Sequence, residues 1–138
     1  MKFAAFTIAF LVFFSCNNVQ PSNEVIPYNF VNLQLNLLDP QYNIPNDGGY
    51  KYLSNVGYRG IILYRENSKS YIAFERACPY KPSNTCEIIE MDASNLFFKC
   101  KCCSSQYNYK GSVTNGVSTQ GLMRYSAVLQ NNTLLINN

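Results

Sequence analysis

The chain has 138 residues, which is enough for one domain with a hydrophobic core, and its formal net charge is +3 at pH 7. A charge this small, with no run of basic residues, argues against nucleic acid as a partner and against electrostatic membrane binding. Histidine is absent, which excludes histidine-based acid–base catalysis, Ser-His-Asp triads and histidine-ligated metal sites.

The N-terminus has the features of a lipoprotein export signal. Lys2 precedes an almost unbroken apolar stretch, Phe3 to Phe14, which is short for a membrane span but typical of a signal-peptide core. The stretch ends at Ser15-Cys16, and a small residue directly before Cys resembles a bacterial lipobox. This resemblance implies cleavage before Cys16, acylation of Cys16 and stable anchoring in the cell envelope, on the periplasmic side or the cell surface. The alternative is an ordinary secretory signal, with Cys16 paired in a disulfide.

The export signal divides the chain into three predicted segments. We predict a signal peptide over residues 1–15, a lipidated cysteine and flexible tether over 16–28, and one β domain over 29–138. The tether is predicted because the residues up to Pro27 are polar and contain proline.

Short apolar runs predict an all-β domain. Val31, Leu33, Leu35 and Leu37 alternate with polar residues, as in a half-buried strand. Further strands are predicted, in chain order, at 50–53, 60–64, 71–74, 87–91, 96–98, 123–129 and 133–136. No window has a helical period of helical length, so the pattern favours an antiparallel sandwich or barrel.

Apart from Cys16, five cysteines lie in two segments that each follow a predicted strand. The first cysteine loop is residues 77–86, with Cys78 and Cys86, and the second is residues 100–107, which read Cys-Lys-Cys-Cys-Ser-Ser-Gln-Tyr. A metal cluster needs ligands that converge from separate segments held by rigid elements. Two such loops at the tips of hairpins indicate a candidate cluster site.

The two loops resemble the ligand boxes of the Rieske iron–sulfur family, Cys-x-His and Cys-x-Cys-His-Gly-Ser. Cys78 and Cys100 match the cysteine ligands, whereas Tyr80 and Cys103 stand where the two histidines belong. The resemblance extends over residues 58–136, and the chain looks like small Rieske-like lipoproteins of the Bacteroidetes group. It implies an all-β, Rieske-like antiparallel sandwich with the two loops at hairpin tips.

The resemblance also implies a disulfide between the loops. In cytochrome bc-type members an extra cysteine of each box forms a clamp, and by position these are Cys86 and Cys102. A second bridge would join Cys78 to Cys100 or Cys103, because thiols that reach an oxidising compartment tend to pair. Ser105 keeps the serine that hydrogen-bonds cluster sulfur in the family.

The loss of both histidines excludes ordinary Rieske chemistry. Three thiolates remain for a 2Fe-2S cluster, those of Cys78, Cys100 and Cys103, with Tyr80 or Cys86 as an unusual fourth ligand. General secretion threads the chain unfolded, so a cluster inserted in the cytoplasm would not survive export. We therefore expect no cofactor, with a 2Fe-2S cluster as the main alternative. A zinc site that uses the Cys100-x-x-Cys103 pair and a thiol–disulfide oxidoreductase are less favoured.

Two functions remain open at this point. The first is a lipid-anchored binding or structural module that presents its loops to an envelope protein or a small molecule. The second is an envelope electron-transfer protein with a non-standard 2Fe-2S cluster. No catalytic residue is assigned, since paired carboxylates, a nucleotide-binding loop and a nucleophile elbow are all absent from the sequence.

Overall fold

The computed structural model describes residues 24–138. The predicted signal peptide and the lipidated Cys16 lie outside the described residues, so they and the domain boundaries remain predictions. Between residues 24 and 138 the chain forms ten strands and no helix. Accordingly, this part of the chain offers no helix that could cross a membrane.

The ten strands form two antiparallel sheets. The strands are β1 (Asn32–Asn36), β2 (Tyr50–Leu53), β3 (Ile61–Asn67), β4 (Ser70–Glu75), β5 (Ile89–Met91), β6 (Phe98–Cys100), β7 (Gln106–Tyr107), β8 (Val113–Asn115), β9 (Arg124–Gln130) and β10 (Thr133–Asn137). One sheet has the order β1-β10-β9-β4-β3-β2, and the other has the order β5-β6-β7-β8. The predicted all-β antiparallel fold is therefore confirmed.

Three details differ from the sequence-based expectation. The hairpin between β3 and β4 turns within two residues, Ser68 and Lys69, because both strands run further than their apolar cores. The strand predicted at 96–98 begins at Phe98 instead, since the connection runs on to Phe97, whose carbonyl accepts the N–H of Asp92 at 3.0 Å. This shift makes Cys100 the last residue of a strand. The short strands β7 and β8 were not predicted, because they are two and three residues long.

The hydrophobic core lies on both sides of β3 and β4. Ile62 and Phe74 belong to one cluster, which includes the inner residues of the four-stranded sheet, and Ile61 and Leu63 belong to the other. Strands that are covered on both faces have continuous apolar runs instead of alternating patterns. This explains why these two strands were readily found in the sequence.

A buried carboxylate fixes the point where β4 leads into the first cysteine loop. Glu75 is fully buried, and it accepts hydrogen bonds from the backbone N–H groups of Tyr58, Arg59 and Ala77 at 2.7, 2.7 and 3.0 Å. The hydroxyl of Tyr125 donates the fourth bond, at 2.7 Å. Burial and this bond raise the pKa of Tyr125, so its hydroxyl keeps its proton. Because Ala77 precedes Cys78, this network positions the start of the first cysteine loop.

Replacing Tyr125 by Phe is expected to lower the free energy of unfolding by about 1–2 kcal/mol, because one donor to a buried carboxylate is lost. Chemical denaturation of the full chain measures this change. Tyr71→Phe is the matched control: Tyr71 is also buried, and its hydroxyl has no hydrogen-bond partner among residues 24–138. Equal losses in the two variants would contradict the assigned role of the Tyr125 hydroxyl.

Candidate metal centre

One short segment, residues 87–89, holds both cysteine loops in place. The carbonyl of Glu87 accepts the N–H of Cys78 at 2.9 Å, and the carbonyl of Ile88 accepts the N–H of Lys101 at 2.9 Å. Ala77 and Ile88 also form an isolated antiparallel bridge. The first loop thus folds back on itself, and its end lies between its own start and the second loop.

The two loops are also joined covalently. Cys86 and Cys102 form a disulfide with a Cα–Cα distance of 5.8 Å, as the sequence predicted. Because the sulfur of Cys86 is bonded to that of Cys102, it cannot also serve as the fourth metal ligand. The second predicted bridge remains a prediction, since Cys78, Cys100 and Cys103 carry free thiols in this structure.

Three thiols and one carboxylate converge beside this disulfide. The sulfurs of Cys78, Cys100 and Cys103 and a carboxylate oxygen of Glu87 all lie within 4.8 Å of one another. The Cys78 and Cys103 sulfurs are 3.6 Å apart, and the Cys100 thiol donates to Glu87 Oε2 at 2.6 Å. We refer to these four groups as the Cys3Glu cluster. Only Cys103 is partly exposed, and the other three members are buried.

A backbone N–H beside each sulfur of the cluster lowers the pKa of that thiol. These groups belong to Tyr80 for Cys78, Cys103 for Cys100, and Ser105 for Cys103. The N–H of Cys103 also points to Glu87 Oε2, at 3.2 Å. Donors arranged in this way stabilise negative charge on the sulfurs and orient them, as outer groups do around metal ligands.

The thiols differ in how readily they ionise. The neighbouring Cys100 thiol lowers the pKa of Cys78 to about 7, whereas the interaction with Cys78, burial and the hydrogen bond to Glu87 raise the pKa of Cys100. Burial raises the pKa of Cys103. Without a metal, the cluster therefore favours one thiolate, at Cys78, with the other protons retained.

Two further side chains complete the surroundings. The buried hydroxyl of Tyr107 lies 3.6 Å from the Cys78 sulfur, and burial raises its pKa, so it remains a neutral partner. The Ser105 hydroxyl lies 3.2 Å from the Cys103 sulfur and accepts the N–H of Ser118 at 3.0 Å. The serine retained from the Rieske pattern thus contacts a cluster sulfur.

The sequence identified the three thiols and missed Glu87. The fourth donor had been assigned to Tyr80 or Cys86. The Tyr80 ring packs against the core beside the cluster, with Lys81 Nζ 5.1 Å from its centroid. A signal for Glu87 was present, because its side chain shares the buried face of the chain with Ile89 and Met91, where an unpaired acid is unusual.

The residues present do not fit a Rieske cluster. The histidine pair is missing from the whole chain. In the Rieske correspondence Cys78 and Cys103 would bind different irons, yet their sulfurs are only 3.6 Å apart. That spacing matches the edge of a tetrahedron around one ion, about 3.8 Å for metal–sulfur bonds of about 2.3 Å.

No protein-family model matches the chain, and no curated protein matches it. Among solved structures, it is similar to the cyanobacterial plasma membrane Rieske protein PetC3 from Synechocystis PCC 6803. The TM-score is 0.48 and the identity is 21%, over 57% of this chain and 77% of that chain.

Removing the disulfide in the double variant C86S/C102S is expected to lower the free energy of unfolding by about 3 kcal/mol, because the bridge closes a loop with a sequence separation of 16. Urea denaturation in the presence of a chelator isolates this effect from any metal. Wild-type protein treated with a reductant should unfold like the double variant. A double variant as stable as the oxidised wild type would contradict the assigned clamp.

Proposed function

We propose that this chain is a lipid-anchored module of the bacterial cell envelope whose two cysteine loops hold a metal centre. The observation that supports this function is the convergence of the Cys3Glu cluster from both loops. Thiolates and a carboxylate are ligands for thiophilic metal ions, and their convergence from separate segments is what a metal centre needs.

The charge around Glu87 also favours a bound cation. Its carboxylate is nine-tenths or more buried, and within residues 24–138 no Lys or Arg forms an ion pair with it. Burying a carboxylate without a cation or full hydrogen bonding is costly. A metal ion at the cluster would supply such a cation.

A contact between the start of the described chain and the first cysteine loop supports the proposal that the loops lie close to the lipid anchor. The Glu24 carboxylate accepts a hydrogen bond from the Ser83 hydroxyl at 2.6 Å, so the described chain begins against the first cysteine loop. Seven residues lie between Cys16 and Glu24, and the eight Cα–Cα steps from Cys16 to Glu24 span at most about 29 Å. With a lipid on Cys16, the loops would face a partner at the membrane surface, and we infer an envelope protein as that partner.

The distance between two of the sulfurs favours a second candidate function. The sulfurs of Cys78 and Cys103 are close enough for a disulfide to form without large movement of the backbone. In that case the chain is the metal-free, doubly stapled binding module that the sequence favours. An electron carrier with a 2Fe-2S cluster is the third outcome of the same experiment.

The metal content of full-length protein, extracted from the cell envelope in mild detergent, tests the proposal. We expect bound metal in the wild type and loss of at least nine-tenths of it in C78S/C103S, because two of four ligands are removed. C86S/C102S, which loses as many sulfurs outside the cluster, should retain its metal. Elemental analysis by mass spectrometry measures this directly. A wild type without metal, or equal content in wild type and C78S/C103S, would contradict the metal centre.

A further inference from the structure

We infer that the Cys3Glu cluster binds one tetrahedral divalent ion of the zinc class, with Glu87 as the fourth ligand. This inference rests on the proposed metal centre and specifies its ligands and nuclearity. It assigns to Glu87 a role that neither the Rieske pattern nor the cysteine spacing contains.

The distances indicate one ion. All four donor atoms lie within 4.8 Å of one another, and two of the sulfurs are 3.6 Å apart. A zinc ion with bonds of about 2.3 Å to sulfur needs a sulfur–sulfur distance of about 3.8 Å, which is close to that of Cys78 and Cys103, and the remaining donors reach tetrahedral spacing with shifts of about 1 Å. A two-iron cluster distributes its ligand pairs over two metal atoms, so donors on different irons lie further apart than the edge of one tetrahedron.

The geometry of Glu87 supports direct ligation. Its Oε2 already lies 2.6 Å from the Cys100 sulfur and 3.2 Å from the Cys103 N–H. Binding of the ion releases the thiol protons of Cys100 and Cys103 to solvent, and the same oxygen of Glu87 can then turn to the metal while the Cys103 N–H continues to orient it. Three thiolates, one carboxylate and a divalent ion have the same formal charge as a zinc ion with four cysteine ligands.

Such a centre is closed, because four protein ligands leave no position for substrate. Closed tetrahedral sites are structural, whereas catalytic zinc sites keep one position open. The ion would therefore clamp the inner ends of the two loops, and the Cys86–Cys102 disulfide clamps their outer part.

Titration of the reduced full-length protein with Zn²⁺, and with Co²⁺ as a spectroscopic probe, tests this inference. We expect one ion per chain, no acid-labile sulfide, and tetrahedral cobalt bands with thiolate-to-cobalt charge transfer. Glu87→Gln should weaken zinc binding by at least about 100-fold, since loss of a ligand costs no less than loss of an outer partner. Glu90→Gln is the matched control, because Glu90 is also on this part of the chain but pairs with Arg76 outside the cluster; its affinity should equal that of the wild type.

The outcomes separate the two proposals. Two irons and two sulfides per chain would overturn the single-ion inference and leave the metal centre standing. Wild-type zinc affinity in Glu87→Gln, with circular dichroism showing a folded protein, would overturn the role of Glu87. Both proposals fail if reduced wild-type protein binds neither zinc nor cobalt and if protein extracted from the envelope contains no metal. Cys103→Ser provides a second check, since it should lower the charge-transfer intensity by about one third while Co²⁺ stays bound.

Discussion

The candidate site depends on one constraint, the pairing of residues 87–89 with both cysteine loops at once. The backbone of Glu87 accepts the N–H of Cys78, and the backbone of Ile88 accepts the N–H of Lys101. The β5–β6 ladder then sets Ile89 opposite Cys100. This pairing places the side chain of Glu87 beside the three cysteines. The proximity of the four donors is thus a consequence of strand register.

Two different restraints then act on the same pair of loops. The disulfide joins Cys86 to Cys102, and the Cys3Glu cluster lies further inside, next to the core residues Phe98 and Tyr107. The buried carboxylate of Glu75 holds the start of the first loop through the N–H of Ala77. Loops with this many restraints are positioned for binding rather than for large motion, which suits the proposed metal centre.

The sequence predicted most of the fold because burial on two faces leaves a strong signal. Ile61 to Tyr64 form a continuous apolar run, and this run by itself predicts the strand. The disulfide and the three thiols followed from the resemblance to the Rieske boxes. By contrast, β7 and β8 are too short for a periodic pattern, and they form only because β7 pairs with β6 and β8 pairs with β7.

The fourth donor was missed for a physical reason. The Rieske pattern directs attention to the positions of the missing histidines, Tyr80 and Cys103, whereas the structure supplies an oxygen from a different segment. Glu87 becomes a candidate only when the fold-back of the first loop is known, because sequence spacing alone does not show which side chains this pairing brings together. A buried acid in phase with Ile89 and Met91 was the available clue.

X-ray absorption spectroscopy at the metal edge of protein taken from its native envelope tests the central claim most directly. We predict three sulfur neighbours at about 2.3 Å and one oxygen neighbour at about 2.0–2.2 Å, with no second metal atom in the next shell. A spectrum with bridging sulfide and a nearby second metal atom, or with four sulfur neighbours and no oxygen, would contradict a single ion held by three cysteines and Glu87.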